Sequence, residues 1–342
     1  MRHLSRRRRE QLRPSWIGPL LFFWALTLPG CGEIPGGQAP ATAAGTAELS
    51  GGTLRLMTWN VEFLWDGRAP EDGDADFPWK GSPDGAAEHM ERLAEVIRRE
   101  SPDVVNLAEV ESREALELFA ESFLGDLGYR VYFVQGNDTA TGQDMGLLSR
   151  LEVSTLSRDT RRGRSGRTRK GVSKHYVATL SVPTADRGSL EIGLVGLHLL
   201  ARPDRENRRA PREAQADAIR RMAMDLADQR RQVIVWGDFN DFDGETLDHD
   251  GSRPITRVLE WIRGMDPDDP ADDLVNVVSE LPRPERYTTE RRGRNARRSA
   301  IDHALVSPAL AERLEAVRIP RHDPYTVSDH YPIVFELSLG PG

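Results

Sequence analysis

Four apolar residues, Val233-Ile234-Val235-Trp236, run without interruption until Gly237, and Asp238, Asn240, Asp241 and Asp243 follow at once. An apolar run rich in β-branched residues, with no polar alternation, reads as a strand covered on both faces. The chain must therefore supply a packed layer on each side of it. At the exit of that strand stand a carboxylate and a carboxamide two residues apart, Asp238 and Asn240. Such a rigid mounting is what a metal or water-positioning site requires. The competing reading is an Asx-rich turn, since Asp and Asn commonly occupy such exits. Asp241 and Asp243 read as acidic turn residues.

The remaining elements alternate between strand and helix. Leu54–Trp59 reads as a strand, and Ala86–Glu100 as a helix with Met90, Leu93, Ala94 and Ile97 on one face, stopped by Ser101-Pro102. Asp103–Ala108, Tyr129–Val134 and Met145–Leu148 read as strands, with Arg113–Leu127 a second helix closed by Gly128. His175–Val182 and Leu190–Leu197 form a strand pair, and Pro211–Gln229 is a helix opened by its proline. Ile255–Ile262 reads as a short helix, and Ala300–Val306 and Tyr331–Leu337 as the last strands. Residues 66–85 and Asp266–Asp273 read as irregular loops, and Arg158–Lys170 as a basic loop. No repeat of solenoid length is visible. The pattern predicts a layered α/β domain with one core over residues 53–339.

The N-terminus is of another kind. Arg6–Arg9 and Arg13 precede an apolar run, Trp16–Leu28, that is short for a membrane span, and then Pro29-Gly30-Cys31. The order resembles a bacterial lipoprotein signal, which implies export and a lipidated Cys31 as the new N-terminus; the alternative is an uncleaved anchor. On this reading residues 1–31 are a signal peptide, residues 32–52 are a flexible Gly/Ala/Pro/Thr-rich tether, and the protein sits at the bacterial cell envelope, touching membrane only through its lipid. Cys31 is the single cysteine, so no intramolecular disulfide is available and stability rests on the core. Residues 1–31 carry six Arg and one Glu, so without them Lys+Arg falls from 46 to 40, Asp+Glu from 54 to 53, and the formal charge from −8 to −13. A domain so acidic is no general electrostatic adhesive for nucleic acid, and a polyanion would have to be met by local basic loops or by metal.

Polar groups collect at the ends of the apolar runs. Asn60 and Glu62 follow the first strand, Glu109 the second, His198 the run Gly193–Leu197, and Asp238 and Asn240 the run Val233–Trp236. Asp302 and His303 interrupt a strand, and Ser328-Asp329-His330 precedes the last one. Burying each of these unpaired would cost on the order of several kcal/mol. Meeting one another and a cation in one cleft removes that cost. Singly, Glu109 could be a solvated strand end, His198 a satisfied core histidine and Asp302 an edge-strand surface residue.

The set in this order resembles the endonuclease/exonuclease/phosphatase superfamily over residues 54–338. The likeness rests on Thr58-Trp59-Asn60-Val61-Glu62, Asn106–Val110, Gly196-Leu197-His198, Gly237-Asp238-Phe239-Asn240, Ser299–His303 and Ser328-Asp329-His330-Tyr331-Pro332. It implies a DNase I-like four-layer α/β/β/α sandwich, with two mixed sheets packed face to face between outer helices. It also implies hydrolysis of a phosphate ester by in-line attack of water, with Mg²⁺ or Mn²⁺ as cofactor. Glu109 would be the main metal ligand, with Asn60 as a helper amide and Glu62 and Asp329 joining the metal site. Asp238 would orient or deprotonate the water, and Asn240 would hold the phosphate or the metal-bound shell. His330 would contact the scissile phosphate, with Asp302 fixing its tautomer and charge. His198, a second phosphate contact or the general acid, is found in DNase-like, sphingomyelinase-like and inositol-phosphatase-like branches and is replaced in abasic-site endonucleases. Two positions depart from the family: Leu199-Leu200-Ala201 stands where many bacterial members carry Lys-Ser, and His303 where Tyr or Arg is commoner. No role is assigned to His303.

Two basic stretches, Arg158–Lys174 and Arg291–Arg298, stand beside motif strands in an otherwise acidic chain. Each could be a solvated face or a phosphate cradle. The second possibility favours a polyanion, so an exported, monomeric nuclease acting on DNA or RNA is the leading expectation. A phosphomonoesterase or a sphingomyelinase-like phospholipid phosphodiesterase is the alternative, and a non-catalytic surface binding protein the third. The aromatic residues nearest to a membrane-docking hairpin, Phe63, Trp65, Phe77 and Trp79, are interleaved with acids.

Overall fold

Successive residues of the central strand point into different layers: Ile234 and Trp236 into one core, Val233 and Val235 into another. That two-sided burial is how a period of two works when both faces of a sheet are covered. The computed structural model describes residues 52–68, 79, 81–138, 141–184, 188–266 and 268–340. The leader of residues 1–31, the tether up to residue 51, and Phe77 lie outside them.

In chain order the first half comprises β1 (Thr53–Leu64), α1 (Pro83–Glu100), β2 (Val104–Val110), α2 (Arg113–Phe123), β3 (Arg130–Val134), β4 (Asp144–Ser149), β5 (Glu152–Ser157), β6 (Arg162–Ser165) and β7 (Thr168–Gly171). There follow β8 (Lys174–Pro183), β9 (Ser189–His198), α3 (Glu206–Asp228), β10 (Gln232–Asp238), α4 (Val258–Arg263), β11 (Val275–Asn276), β12 (Thr289–Arg291), β13 (Arg297–Ser299), β14 (Asp302–Val306), α5 (Pro308–Ala311), β15 (Leu314–Arg318) and β16 (Ile333–Ser338).

Two six-stranded sheets result, ordered β15-β16-β1-β2-β4-β3 and β11-β14-β10-β9-β8-β5. Each is mixed: β1–β2 and β9–β10 pair parallel, and their other neighbours antiparallel. Leu56, Val104, Leu147 and Phe335 of the first sheet meet Leu180, Leu194, Ile234 and Trp236 of the second in a shared core. On the first sheet's outer face, Met90, Leu93 and Ile97 of α1 and Leu116 and Phe119 of α2 cover Met57, Val105 and Leu107. On the second sheet's outer face, Ile219, Met222 and Leu226 of α3 and Ile262 of α4 cover Val195, Val233 and Val235. The layers are therefore α/β/β/α, as the resemblance implied. Among the described residues no helix is long and apolar enough to cross a membrane.

Both basic stretches contain hairpins. β6 and β7 pair within Arg158–Lys174, and β12 and β13 flank the turn of Arg291–Arg298. Neither alternates apolar with polar residues, because both are held by backbone pairing and polar links rather than by a buried face. Edge strands β5 and β15 were also not expected; their residues are mostly exposed or half-buried, which leaves little hydrophobic period to read. Helix α3 begins at Glu206, so Pro211 lies inside it rather than at its start. Trp65 is buried, and Phe63 and Trp79 pack against Trp65, one another and His89 instead of forming a docking face.

Candidate active site

The row of strand ends in the second sheet is set by register. Asp238 of β10 stands opposite His198 of β9 on one side and Asp302 of β14 on the other, and His198 stands opposite Lys174 of β8. Gly237 makes this spacing possible: with φ 134°, a Cβ there would lie 2.0 Å from the carbonyl oxygen of Leu197. Only glycine lets β10 approach β9 so closely just before Asp238.

The first sheet contributes through bulges. The β1–β2 register shifts between Asn60 and Leu64, and the β2–β4 register shifts between Ala108 and Val110. Bulges re-aim side chains next to functional sites. Here they place Glu62 (φ 45°), Phe63 (φ 68°) and Glu109 (φ 67°) in left-handed backbone, and Asn240 beyond β10 has φ 50°. A non-glycine residue there costs about 1–2 kcal/mol, so the surrounding contacts must hold it. Asn60 does so directly. Its Oδ1 accepts the Glu62 backbone N–H at 3.1 Å, which leaves its NH₂ to donate to Glu109 at 3.0 Å and Asp238 at 3.1 Å. As placed, Asn60 positions two carboxylates through its NH₂ and holds the Glu62 backbone through its oxygen.

Eight of the nine site residues named from the sequence are linked by side-chain contacts around Asn60, Glu109, Asp238 and His330. His198 Nε2 lies 3.5 Å from Asp238 and 3.9 Å from Glu109. Asn240 donates its backbone N–H to one oxygen of the Asp238 carboxylate at 2.7 Å and its side-chain amide to the other at 3.1 Å. His330 Nδ1 donates to Asp302 at 2.7 Å, and its Nε2 faces Asp329 at 3.8 Å. The ninth, Glu62, accepts the Asp329 backbone N–H at 2.9 Å and so joins the same cluster.

Charge follows burial. Burial, then the neighbouring Asp302, pushes the Asp238 carboxyl up to about 7, against the pull of His330. Glu62 is raised to about 7 by burial and then by Asp329, and Glu109 is raised chiefly by burial. Burial disfavours charge on His330, but Asp302 reverses this and holds its imidazole well above the ordinary range. His198 is held well below, by burial and then by Lys174 and His330. Among the described residues no lysine or arginine forms an ion pair with Glu62, Glu109, Asp238 or Asp329; their only such contacts are histidines. Hard carboxylate oxygens crowded together without a protein cation fit a hard divalent ion. The resemblance names Glu109, Glu62 and Asp329 as its ligands, and Glu62 meets the Asp329 backbone in the structure. Asp238, Asp302 and His330 also lie close enough to ligate an ion. The hydrogen bond within that group engages Asp302 Oδ2 and His330 Nδ1, while Asp302 Oδ1 is buried without a hydrogen-bond partner.

Several supporting residues carried no signal in the motifs. Gln143 donates to Glu109 at 3.0 Å and is itself held by Lys174 at 2.9 Å. Ser328 caps the Asn60 carbonyl at 2.7 Å, the Trp59 indole bonds the His330 carbonyl at 2.7 Å, and Thr288 receives the backbone N–H of Asp302 at 3.2 Å. Asp241 and Asp243, read as turn residues, lie outside helix and strand, with Asp243 accepting the Glu245 backbone N–H at 2.9 Å, and are in addition buried ion-pair partners. Asp241 lies 2.8 Å from Arg212 and Asp243 2.6 Å from Arg263. Arg212 also bonds the Asn240 carbonyl at 2.6 Å, which ties that pair to the site. His303 belongs to the same support, bonded to the Asp241 carbonyl and to Asn276.

The family model of the endonuclease/exonuclease/phosphatase family matches residues 57–330. Among solved structures, an endonuclease/exonuclease/phosphatase protein of Beutenbergia cavernae is similar, with a TM-score of 0.53 at 21% identity over 84% of this chain and 72% of that one. A 3′ phosphatase, NExo, from Neisseria bound to a product DNA hairpin matches with a TM-score of 0.53 at 17% identity over 83% and 99%. An AP endonuclease from Archaeoglobus fulgidus matches with a TM-score of 0.52 at 16% identity over 82% and 98%. A comparison with curated proteins finds no match.

Proposed function

Because the chain belongs to the endonuclease/exonuclease/phosphatase family, we propose that it hydrolyses a phosphodiester by in-line attack of water, with Mg²⁺ or Mn²⁺ held by Glu109, Glu62 and Asp329. The observation that carries this reading is the convergence of the Asp302–His330 pair, Asp238 and the unpaired carboxylates on one cleft. When bound, the cation supplies Lewis-acid charge to the phosphate oxygens.

The chain's own groups account for the protons. Asp238, steadied by Asn60 and Asn240, accepts a proton from the attacking water as its oxygen bonds to phosphorus. The ester P–O bond breaks on the opposite side, and Nε2–H of His330 gives its proton to the departing oxygen. Solvent exchange then returns the proton from Asp238 to His330. His198, neutral in this setting, donates a hydrogen bond to a phosphate oxygen rather than acting as the acid. Nucleic acid is the substrate we place first, supported by the basic hairpins and by the DNA-bound phosphatase of the same fold. We place the protein at the bacterial envelope through a lipid on Cys31, which the basic and apolar leader supports; Cys31→Ser should then release it from membranes.

Purified protein should hydrolyse bis(4-nitrophenyl) phosphate in Mg²⁺ or Mn²⁺ and stop in EDTA. His330→Ala and Asp238→Ala should each abolish turnover while keeping a cooperative unfolding transition. No turnover of that ester, of plasmid DNA or of RNA with either metal would overturn the reading.

A further inference from the structure

A cavity of about 690 Å³ shares Glu109 and His198 with the catalytic site and continues away from it between the β6–β7 hairpin, the residues Asn137, Asp138, Thr141 and Gln143, and the turn Leu199–Ala201. Volumes of this size hold small-molecule groups. Six cationic residues line it, Arg158, Arg161, Arg162, Lys170, Lys174 and Arg208, against three acids, Glu109, Asp138 and Asp159. Two of the cations are already matched: Arg161 pairs with Asp159 and Asp225, and Lys174 with Asp138. Arg158, Arg162, Lys170 and Arg208 make no ion pair with a carboxylate among the described residues. Nε of Arg158 is buried there with no hydrogen-bond partner. In a chain of net charge −8, the cation surplus lining this cavity is a local feature.

The hairpin wall that carries Arg162 and Lys170 is fastened. A Cβ at Gly163 would lie 1.9 Å from the Ala214 carbonyl, so β6 lies flush on α3 with no room for a side chain. Asp217 accepts the Arg164 backbone N–H at 2.8 Å, Glu213 accepts the Ser165 hydroxyl at 2.8 Å, and Arg221 donates to the Arg162 carbonyl at 2.8 Å. The hairpin thus stands as a fixed side of the cavity.

We propose that this cavity binds a second phosphate of the substrate, a dianionic phosphomonoester carried beside the phosphate that is attacked. Unpaired arginine and lysine on a preformed wall suit a group with several acceptor oxygens and two charges. A strand interior has only monoanionic diesters to offer. The favoured substrate is accordingly a phosphorylated chain end or a small molecule with more than one phosphate. This inference rests on the hydrolytic reading given above.

The test compares kcat/KM for dithymidylate carrying a 5′-phosphate, a 3′-phosphate or neither, for a sugar bisphosphate, and for bis(4-nitrophenyl) phosphate. A terminal phosphate on the dinucleotide, or the second phosphate of the sugar, should raise kcat/KM by about tenfold or more. The Arg158→Gln/Lys170→Gln protein should lose most of that preference, falling further on the phosphorylated substrate than on the simple diester. Preference on the dinucleotide identifies a chain end, and preference on the sugar alone identifies a small molecule. Equal rates with and without the extra phosphate, or a preference that survives the double substitution, would overturn the proposal. Calorimetric titration of inorganic pyrophosphate in EDTA provides a reading independent of turnover: binding to the native protein that weakens about tenfold in the double variant supports the cavity even if no ester is hydrolysed. Absence of binding counts against it. Failure of every one of these esters to turn over counts against the hydrolytic reading.

Discussion

Nδ1 of His330, three residues before β16 of one sheet, donates over 2.7 Å to the carboxylate of Asp302, the first residue of β14 in the other. The pair bridges the sandwich where the two sheets open, and it leaves Nε2 as the face of the ring turned to Asp329. A carboxylate on one ring nitrogen fixes the tautomer and favours the imidazolium.

Asp302→Asn keeps the shape and removes the charge. The amide can still meet Nδ1, but it no longer favours a proton on Nε2. Turnover of bis(4-nitrophenyl) phosphate should fall on the order of 10²–10⁴-fold, with little change in KM, in steady-state assays. An unchanged kcat would remove His330 from the role of proton donor.

The buried pair Arg212–Asp241 makes a second prediction. Both side chains are fully buried at 2.8 Å, and Arg212 also holds the Asn240 carbonyl. Asp241→Ala strands a buried guanidinium and should cost about 3–5 kcal/mol in urea unfolding. Arg212→Met combined with Asp241→Leu should recover much of that stability yet leave activity impaired, because the loop carrying Asn240 loses its anchor. A double variant as unstable as the single one would contradict this account.

The site residues were legible in the sequence because each polar group ends or interrupts an apolar run, as Asp238 and His198 do. The sheets and their covering helices were legible for the same reason, since Val233–Trp236 and Met90–Ile97 carry clear periods. What stayed hidden has little hydrophobic signature. The β6–β7 hairpin packs by glycine and polar links, and the edge strand β5 is exposed along much of its length. The ion pairs of Asp241 and Asp243 stayed hidden because nothing local distinguishes an acid that only makes a turn from one that also faces a buried arginine supplied 20 or more residues away. The direction of the Asn60 amide likewise depends on its bond to the Glu62 N–H, a property of the bulge rather than of the motif.

His175 gives the protein a pH-dependent stability on the acid side. Burial, then Arg158, lowers its pKa to about 4. In the unfolded chain the same imidazole takes a proton near the ordinary value of about 6.5. The contribution is therefore complete above about 6.5 and is lost as pH falls from there toward 4, amounting to about 3 kcal/mol. Urea unfolding at pH 7.5 and pH 4.5 should show that loss in the native protein, and His175→Gln should show a correspondingly smaller one. Equal slopes in both proteins would mean that the histidine is not held neutral.

The carboxylates Glu62, Glu109 and Asp329 should make the metal-free protein less stable than its core allows. Glu62 is raised by burial and by Asp329 and Glu109, and Glu109 by burial and by Asp329, with no lysine or arginine paired to them among the described residues. A divalent cation relieves this by binding the folded state alone, so the gain grows with the logarithm of its concentration. Mg²⁺ or Mn²⁺ should accordingly raise Tm, and EDTA should reverse the rise. Glu109→Gln removes one charge and should raise the metal-free Tm relative to the native protein while flattening its response to metal. The native protein needs the cation to offset what the variant no longer carries, so the two melting curves should converge or cross as metal is added. A variant that loses stability in EDTA yet keeps the full metal response would show that Glu109 serves the fold and that the cation is held elsewhere.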